Sequence, residues 1–282
     1  MCIYLSTTFL KFFIYFLIPV FDILFHLQSQ LSSIIIRESL KGSISMKLQK
    51  LLSYTRQAID EYQMIQDGDK IAIGISGGKD SLTLLYALSN LQKFYPKNFS
   101  LIAITVDLGY ENFDLSKIQK LCDSLQVEYH IISTKIGEMV TSDNLEGSAC
   151  SLCARLRKGA LNDAAKALGC NKVAYGHHMD DVIETMMLSL IYEGRFCSFW
   201  PVTFLDKTEL TIIRPMIYVP ETDVKGFENK YDLPITKNPC PIDGSTKREY
   251  VKNLIRQINL ENPGVKKRLF HAIKDGNLEG WS

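Results

Sequence analysis

The chain lacks a surplus of charge of either sign. Its 282 residues include 32 Lys and Arg against 31 Asp and Glu, which leaves a formal net charge of +1. A protein that binds nucleic acid through its whole surface is strongly basic, so any such contact here would need a local basic patch. The hydrophobic content of 46% is ordinary for a globular protein.

A long uncharged apolar segment is also missing. The run at residues 12–21, FFIYFLIPVF, has ten residues and contains Pro19, whereas a membrane-spanning helix needs about 20 apolar residues. No basic start and small-residue cleavage site mark a secretory signal. We therefore expect no stable membrane association, although an anchor lying on a membrane surface is an alternative for this segment.

The leader of residues 1–45 differs in pattern from the rest of the chain. Apolar residues begin to recur at helical spacing from Met46 onward. Lys41 and Gly42 must be encoded by a purine-rich AAR-GGN stretch, where a bacterial ribosome-binding site for Met46 would lie. We expect residues 1–45 to lie upstream of the true start.

A disulfide framework is not expected, because the seven cysteines are an odd number in a long chain. One CxxC pair, Cys150 and Cys153, begins a predicted helix. Zinc, a redox dithiol, an iron–sulfur cluster or a structural role are open for this pair. No second CxxC is present, which argues against a zinc site made of four cysteines.

Cys240 is the best third ligand, because prolines on both sides hold it in a rigid turn. Three thiolates would hold three irons of a cubane cluster and leave the fourth iron open. A structural role is the alternative for Cys240. Three further cysteines have apolar neighbours and are expected to be buried: Cys122, Cys170 and Cys197.

Apolar strands alternate with amphipathic helices along most of the chain. The pattern predicts strands at 70–75, 101–107, 128–133, 172–175 and 208–213. It predicts helices at 47–65, 80–93, 115–125, 154–168, 181–192, 221–231, 247–258 and 263–273, and a loop at 137–148. This alternation indicates an α/β fold with a doubly wound parallel sheet. We divide the chain into the leader, a domain at 46–215 and a small helical C-terminal region at 216–282.

The loop between the first strand and its helix reads Ser76-Gly77-Gly78-Lys79-Asp80-Ser81. Two glycines and a helix start bring backbone N–H groups around an anion, and Lys79 adds a full charge. The loop is not a Walker A motif, because Asp80 follows the lysine and the glycine spacing is shorter. An ordinary glycine-rich turn is the alternative.

Other polar residues follow the predicted strands and should meet this loop at one sheet edge. They are Asp107 and the segment Gly176-His177-His178-Met179-Asp180-Asp181. The aspartates would also cap the following helix, and local hydrogen bonding is the alternative for the two histidines.

Five motifs together resemble the tRNA 2-thiocytidine synthetase family of PP-loop ATP pyrophosphatases over about residues 46–275. They are the Ser76–Ser81 loop, Cys150-Ser151-Leu152-Cys153, Gly176-His177-His178-Met179-Asp180-Asp181, Arg214-Pro215-Met216 and Pro239-Cys240. The resemblance implies a cytoplasmic homodimer that uses ATP and Mg²⁺ to replace the carbon-2 oxygen of cytidine 32 in tRNA with sulfur. It implies a 4Fe–4S cluster on Cys150, Cys153 and Cys240, and a sulfur donor such as a cysteine desulfurase or sulfide.

The resemblance assigns roles to the motif residues. Lys79, Asp80 and Asp181 would be catalytic, with the two aspartates placing Mg²⁺ or moving a proton. ATP would contact Ser76, Gly77, Gly78, Lys79, Asp80, Ser81, Asp107, Gly176 and His177. Local positive charge, rather than the resemblance, makes two basic groups candidates for RNA contact, with solvated helix faces as the alternative: Arg155, Arg157 and Lys158, and Lys247, Arg248 and Lys252.

One departure and three alternatives remain. Asp243 stands where some family members carry a second late cysteine. The alternatives are an RNA thiolase of the 2-thiouridine type, a cluster-free ligase that forms an amide or amidine, and a non-catalytic metal sensor. The 2-thiouridine synthetases with zinc-binding cysteine pairs at both ends are disfavoured, since this chain lacks those pairs.

Overall fold

A computed structural model describes residues 48–110, 113–141, 149–236 and 247–276 of the chain. The expected leader and Cys240 lie outside the described residues. The strands are β1 (Asp69–Gly74), β2 (Phe99–Asp107), β3 (Glu128–Ser133), β4 (Lys172–Ala174), β5 (Val202–Leu205) and β6 (Leu210–Ile213). The helices are α1 (48–61), α2 (Lys79–Leu91), α3 (Ser116–Leu125), α4 (Ile136–Thr141), α5 (Ala149–Ala167), α6 (Met179–Glu193), α7 (Glu221–Tyr231), α8 (Lys247–Glu261) and α9 (Val265–Asp275).

The strands form one sheet in the order β3-β2-β1-β4-β6-β5. All neighbours are parallel except β5, which runs antiparallel to β6 at the edge. The predicted α/β class with a parallel sheet and a helical C-terminal region is confirmed. The direction of winding reverses between β1 and β4, and such a reversal opens a crevice at the carboxyl ends of the strands.

Both faces of the central strands are buried, as a doubly covered sheet requires. In β1, Ile71 and Ile73 are fully buried in the cluster that includes Leu85 of α2. Ala72, between them, faces the opposite cluster with Leu161 of α5. Successive strand residues point to opposite faces, so this short apolar run holds helices on both sides.

Two elements depart from the sequence prediction. The predicted loop at 137–148 contains α4, because Ile136 and Val140, one helical turn apart, are buried together against Leu108. β5 was not predicted; it has only four residues, and none of them is buried. It precedes β6 as the other arm of a hairpin.

The C-terminal helices α8 and α9 pack against α6. Val251 and Ile255 of α8 are buried, as are Phe270 and Ile273 of α9. Each pair is spaced for one helix face, so each helix buries a narrow apolar stripe and leaves most of its charged residues outside. Among the described residues, no helix combines the length and apolar character needed to cross a membrane.

Candidate active site

The loop from β1 to α2 is closed by its own serines. Ser81 Oγ donates to the Gly78 carbonyl at 2.9 Å and accepts from the Ser76 amide at 3.2 Å. Gly77 has a φ of +81°, a conformation that strains other residues, and its carbonyl accepts from the Thr236 amide at 3.0 Å. Gly78 caps α2 without a side chain, so the first amides of α2 remain suited to an anion.

Lys79 faces two carboxylates from the first turn of α2. Its Nζ donates to both oxygens of Asp80, each at 3.0 Å. The same Nζ lies 3.6 Å from Oε1 of Glu221, at the start of α7. The loop lysine is therefore held between a neighbour in sequence and a residue from a distant helix.

The end of β4 packs directly on this loop because Gly176 has no side chain. A Cβ at Gly176 would lie 2.8 Å from the Asp80 carbonyl oxygen, too close for any other residue. His178 then caps α6: its Nδ1 accepts from the Asp181 amide at 3.3 Å, and the His178 amide donates to Asp181 Oδ2 at 2.9 Å. Nε2 of the buried His178 lies 3.6 Å from Asp80 Oδ1. The two aspartates predicted to be catalytic thus flank one histidine.

A cleft of about 940 Å³ opens at this edge of the sheet. It lies at the carboxyl ends of β1, β2 and β4, where the sheet reverses its winding order. Ten predicted site residues line it: Ser76, Gly78, Asp80, Ser81, Asp107, Arg157, Lys158, Gly176, His177 and Asp181. Residues that the sequence did not indicate also line it, including Tyr110, Phe113, Tyr175 and Thr236.

His177 forms an uncharged wall of the cleft. Burial, with the positive charge of Arg214 as the next cause, lowers the pKa of His177 to about 3. Its ring stacks on Phe199 with centroids 4.6 Å apart, and Arg214 Nε donates to His177 Nδ1 at 3.3 Å. Arg214, itself buried, also donates to the Trp200 carbonyl. The Arg214-Pro215-Met216 motif therefore fixes His177 as a neutral imidazole.

Tyr175 also lines the cleft. Its hydroxyl is buried and has no hydrogen-bond partner among the described residues. Burial raises the pKa of Tyr175 to about 12, so the hydroxyl keeps its proton. A buried hydroxyl without a partner is a polar group whose loss of hydration no hydrogen bond among the described residues offsets.

Cys150 and Cys153 lie in the first turn of α5, whose later residues Ala154 and Arg157 line the cleft. Cys150 is exposed, whereas Cys153 is buried beside Ile136 and Val140. Within the described residues, which exclude Cys240, no group of three or more His, Cys, Asp or Glu side chains is arranged so that it could hold a metal ion. Two thiols one turn apart on α5 are a partial donor set of the kind that a cluster uses.

The predicted burial of Cys122 and Cys170 is confirmed, whereas the predicted burial of Cys197 is wrong. Cys122 and Cys170 are buried, and burial raises the pKa of Cys122 to about 12. Cys197 is exposed. It follows the left-handed C-cap of α6 at Gly194, in a segment whose residues 190–197 are all exposed.

The basic residues of α8 are already paired. Arg248 Nη1 lies 3.4 Å from Asp181 Oδ1 and 3.3 Å from Glu184 Oε2. Lys252 Nζ lies 2.9 Å from Glu221 Oε1. Lys247 lies over the ring of Tyr192, 4.7 Å from its centroid. The predicted RNA contacts by these residues stay a prediction, and two of the three cations bind α6 and α7 here.

Comparison with known proteins places these features in a family. A family model described as a PP-loop domain matches residues 44–261. A tRNA-cytidine(32) 2-sulfurtransferase from Geobacter sulfurreducens is 35% identical over 238 residues, covering 83% of this chain and 92% of that protein. The protein of the same name from Geotalea daltonii is 39% identical over 220 residues, covering 77% and 87%.

Among solved structures, the chain is similar to the U34-tRNA thiolase NcsA from Methanococcus maripaludis with its [4Fe-4S] cluster. The TM-score is 0.68 with 26% sequence identity, and the match covers 84% of this chain and 81% of that one. The loop, the cleft and these likenesses lead to one assignment. The chain belongs to the PP-loop family and, within it, to the tRNA-cytidine(32) 2-sulfurtransferases.

Proposed function

We propose that this protein is an ATP-dependent tRNA sulfurtransferase that replaces the carbon-2 oxygen of cytidine 32 with sulfur. One observation carries the proposal: the phosphate loop and the CxxC helix line a single cleft, through Ser76, Ser81 and Arg157. An activating site and a sulfur-handling site must share one substrate base, and this arrangement lets them. The relatives' names supply the base and its position.

Activation uses the loop. The cytidine oxygen attacks the α-phosphate of ATP, the bond between the α- and β-phosphates breaks, and pyrophosphate leaves. The loop amides and Lys79 would stabilise the charge that develops on the leaving pyrophosphate. Asp80 and Asp181, close together around His178, would hold Mg²⁺. AMP is then the leaving group when sulfur bonds to carbon 2.

The cysteines fit a 4Fe–4S cluster as far as their donor chemistry goes. Cys150 and Cys153 would supply two thiolates from one helix turn, and Cys240 the third. The cluster in the similar U34-tRNA thiolase supports this choice. When bound, the cluster would supply the sulfur-transfer chemistry, and α5 would hold it through Cys150 and Cys153.

Further parts of the proposal concern partners and organisation. Arg155, Arg157 and Lys158 on α5 would bind the RNA backbone, since two of them line the cleft. We propose a homodimer that works in the cytoplasm, where its tRNA substrate is found, with a cysteine desulfurase or sulfide as donor. Residues 46–215 would form the PP-loop domain and 216–282 the C-terminal region.

Mass spectrometry of tRNA nucleosides tests the function. A strain lacking this protein should lack 2-thiocytidine, and the wild-type gene should restore it. Lys79→Ala and Cys153→Ala should each fail to restore it, the first with its iron retained and the second with its iron lost. Loss of 2-thiouridine with normal 2-thiocytidine would instead support the thiouridine alternative and overturn the cytidine assignment.

A further inference from the structure

Three lysines converge on one oxygen of Glu221 beside the phosphate loop. Oε1 of Glu221 lies 2.9 Å from Lys252 Nζ, 3.2 Å from Lys225 Nζ and 3.6 Å from Lys79 Nζ. The Glu221 side chain is only 8% exposed. A buried carboxylate with three cations is a shared counter-charge, and it matters least to Lys225, whose side chain is 52% exposed against 22% for Lys79 and 36% for Lys252.

The three lysines come from different parts of the chain. Lys79 belongs to the phosphate loop and Lys252 to α8, whereas Lys225 is one turn along α7 from Glu221 itself. Lys79 also has Asp80 as a second carboxylate at 3.0 Å. The Glu221 carboxylate therefore lies between the loop lysine Lys79 and Lys252 of α8 and contacts both.

Glu221 is itself held in place from two sides. Its amide donates to Oδ2 of buried Asp180 at 2.7 Å, and Oδ1 of Asp180 accepts from Lys266 of α9 at 2.6 Å. Burial opposes ionisation of Glu221, but Lys252 and the other lysines outweigh it and lower the pKa of Glu221 to about 2. The carboxylate is thus charged and ordered at neutral pH.

We propose that Glu221 is a positioning residue for Lys79, and that Lys252 makes this positioning depend on the docking of α8. Lys79 Nζ lies 3.0 Å from Asp80 and 3.6 Å from Glu221, so Glu221 is a second counter-charge that stays beside the ammonium when Asp80 turns to a metal ion. The inference rests on the proposed function, because it assigns Lys79 to pyrophosphate departure.

The proposal predicts opposite effects on binding and turnover. Removing the Glu221 charge leaves three lysines with one fewer counter-charge, so a polyphosphate should bind more tightly. Once Glu221 is neutral, Lys79 should stay paired with Asp80 and stabilise the departing pyrophosphate less, so turnover should fall. Loss of folding would weaken both, so the split separates positioning from a purely structural role.

The experiment uses the full chain, with calorimetric binding of α,β-methylene-ATP and steady-state pyrophosphate release in the presence of tRNA. Glu221→Gln keeps the shape and should tighten analogue binding about threefold while lowering kcat about tenfold. Lys252→Met should lower kcat about fivefold, because Glu221 loses its ion pair with α8 and no longer holds Lys79 in a fixed position. Lys225→Met is the matched control: it removes the same charge from the same oxygen but no link to α8, and it should keep the wild-type kcat.

Three outcomes would contradict parts of this proposal. Equal kcat for Lys225→Met and Lys252→Met would reduce the effect to net charge and overturn the role of α8. Wild-type kcat in Glu221→Gln, or weaker analogue binding together with lower kcat, would overturn the positioning role. A wild-type protein that does not bind the analogue would overturn the proposed function and this inference with it, whereas the variant results bear on the inference alone.

Discussion

The phosphate loop and the C-terminal helices both set cations against carboxylates, but over very different separations along the chain. Lys79 pairs with Asp80, its neighbour, and Ser81 bonds Gly78, three residues away. Arg248 reaches Glu184 across 64 residues and Lys266 reaches Asp180 across 86. These bonds of the loop thus lie within one strand–turn–helix unit. The C-terminal helices α8 and α9, here called the arm, are held by ion pairs to residues far away in the chain.

The difference changes what the basic residues of α8 mean. Read from sequence, Lys247, Arg248 and Lys252 are a basic patch for RNA. In the folded protein, Arg248 and Lys252 neutralise buried Glu184 and Glu221. A charge that holds helix α8 in place is less available to phosphate, so mutation of Arg248 or Lys252 should lower the stability of the fold whether or not this patch binds RNA.

The largest expected effect tests the loop. Lys79→Ala should lower pyrophosphate release with tRNA present by about a hundredfold or more, because the charge developing on the phosphates loses its cation. Iron content should stay at the wild-type level, since the CxxC pair is on a different helix. Wild-type pyrophosphate release from this variant would remove the loop from the reaction.

Reversing the charge of Arg248 tests the ion pairs that hold α8 against α6. Arg248→Glu should destabilise the fold by about 2 kcal/mol, since it places a third acid beside Asp181 and buried Glu184. Burial, and then Asp181, already raise the pKa of Glu184, so this carboxylate is costly to leave unpaired. Urea unfolding measures the change.

Arg256→Glu is the matched control, because Arg256 is exposed on the same helix. It should change the free energy of unfolding by less than about 0.5 kcal/mol. Equal destabilisation by the two reversals would show that the ion pairs of Arg248 do not hold the arm.

The dependence of stability on pH tests whether His177, in the wall of the cleft, is neutral in the folded protein. The pKa of His177 is lowered from 6.5 to about 3, so between these values the unfolded chain binds a proton that the folded protein does not. The stabilising contribution of this neutral histidine is complete above pH 6.5 and is lost as the pH falls toward 3. His177→Asn keeps an acceptor for Arg214 but cannot titrate.

From pH 7.5 to 5, the wild-type protein should therefore lose about 1–2 kcal/mol more of its unfolding free energy than His177→Asn. Urea unfolding at the two pH values measures this. Parallel pH profiles of the two proteins would show that His177 is charged or solvated in the native state.

The smallest effect concerns Tyr175. Because its buried hydroxyl lacks a partner among the described residues, Tyr175→Phe should stabilise the protein by about 1 kcal/mol. It should also weaken binding of whichever ligand bonds the hydroxyl, and calorimetry with the ATP analogue and with tRNA identifies which. Destabilisation without any change in binding would mean that the hydroxyl serves the fold.

Much of the loop side was predictable from sequence because its interactions are local. An apolar strand, two glycines and a helix start suffice to predict the β1–loop–α2 unit, and parallel strands must bring Asp107 and Gly176 to the same edge. The capping role of Asp181 could be inferred from its place at the start of α6. The α7 helix was predicted at its observed bounds, Glu221–Tyr231.

Only the tertiary structure decided which distant charges meet. Glu221 reads in sequence as an ordinary acid in the first turn of a helix, and nothing local indicates Lys79 or Lys252 as its partners. The contact between Arg214 and His177 could likewise not be inferred from local sequence. Helix α4 was missed because its two apolar residues, Ile136 and Val140, are buried only by packing against Leu108. Local sequence determines elements and their caps, whereas the partner of a buried charge depends on how packing places elements that are far apart in the chain.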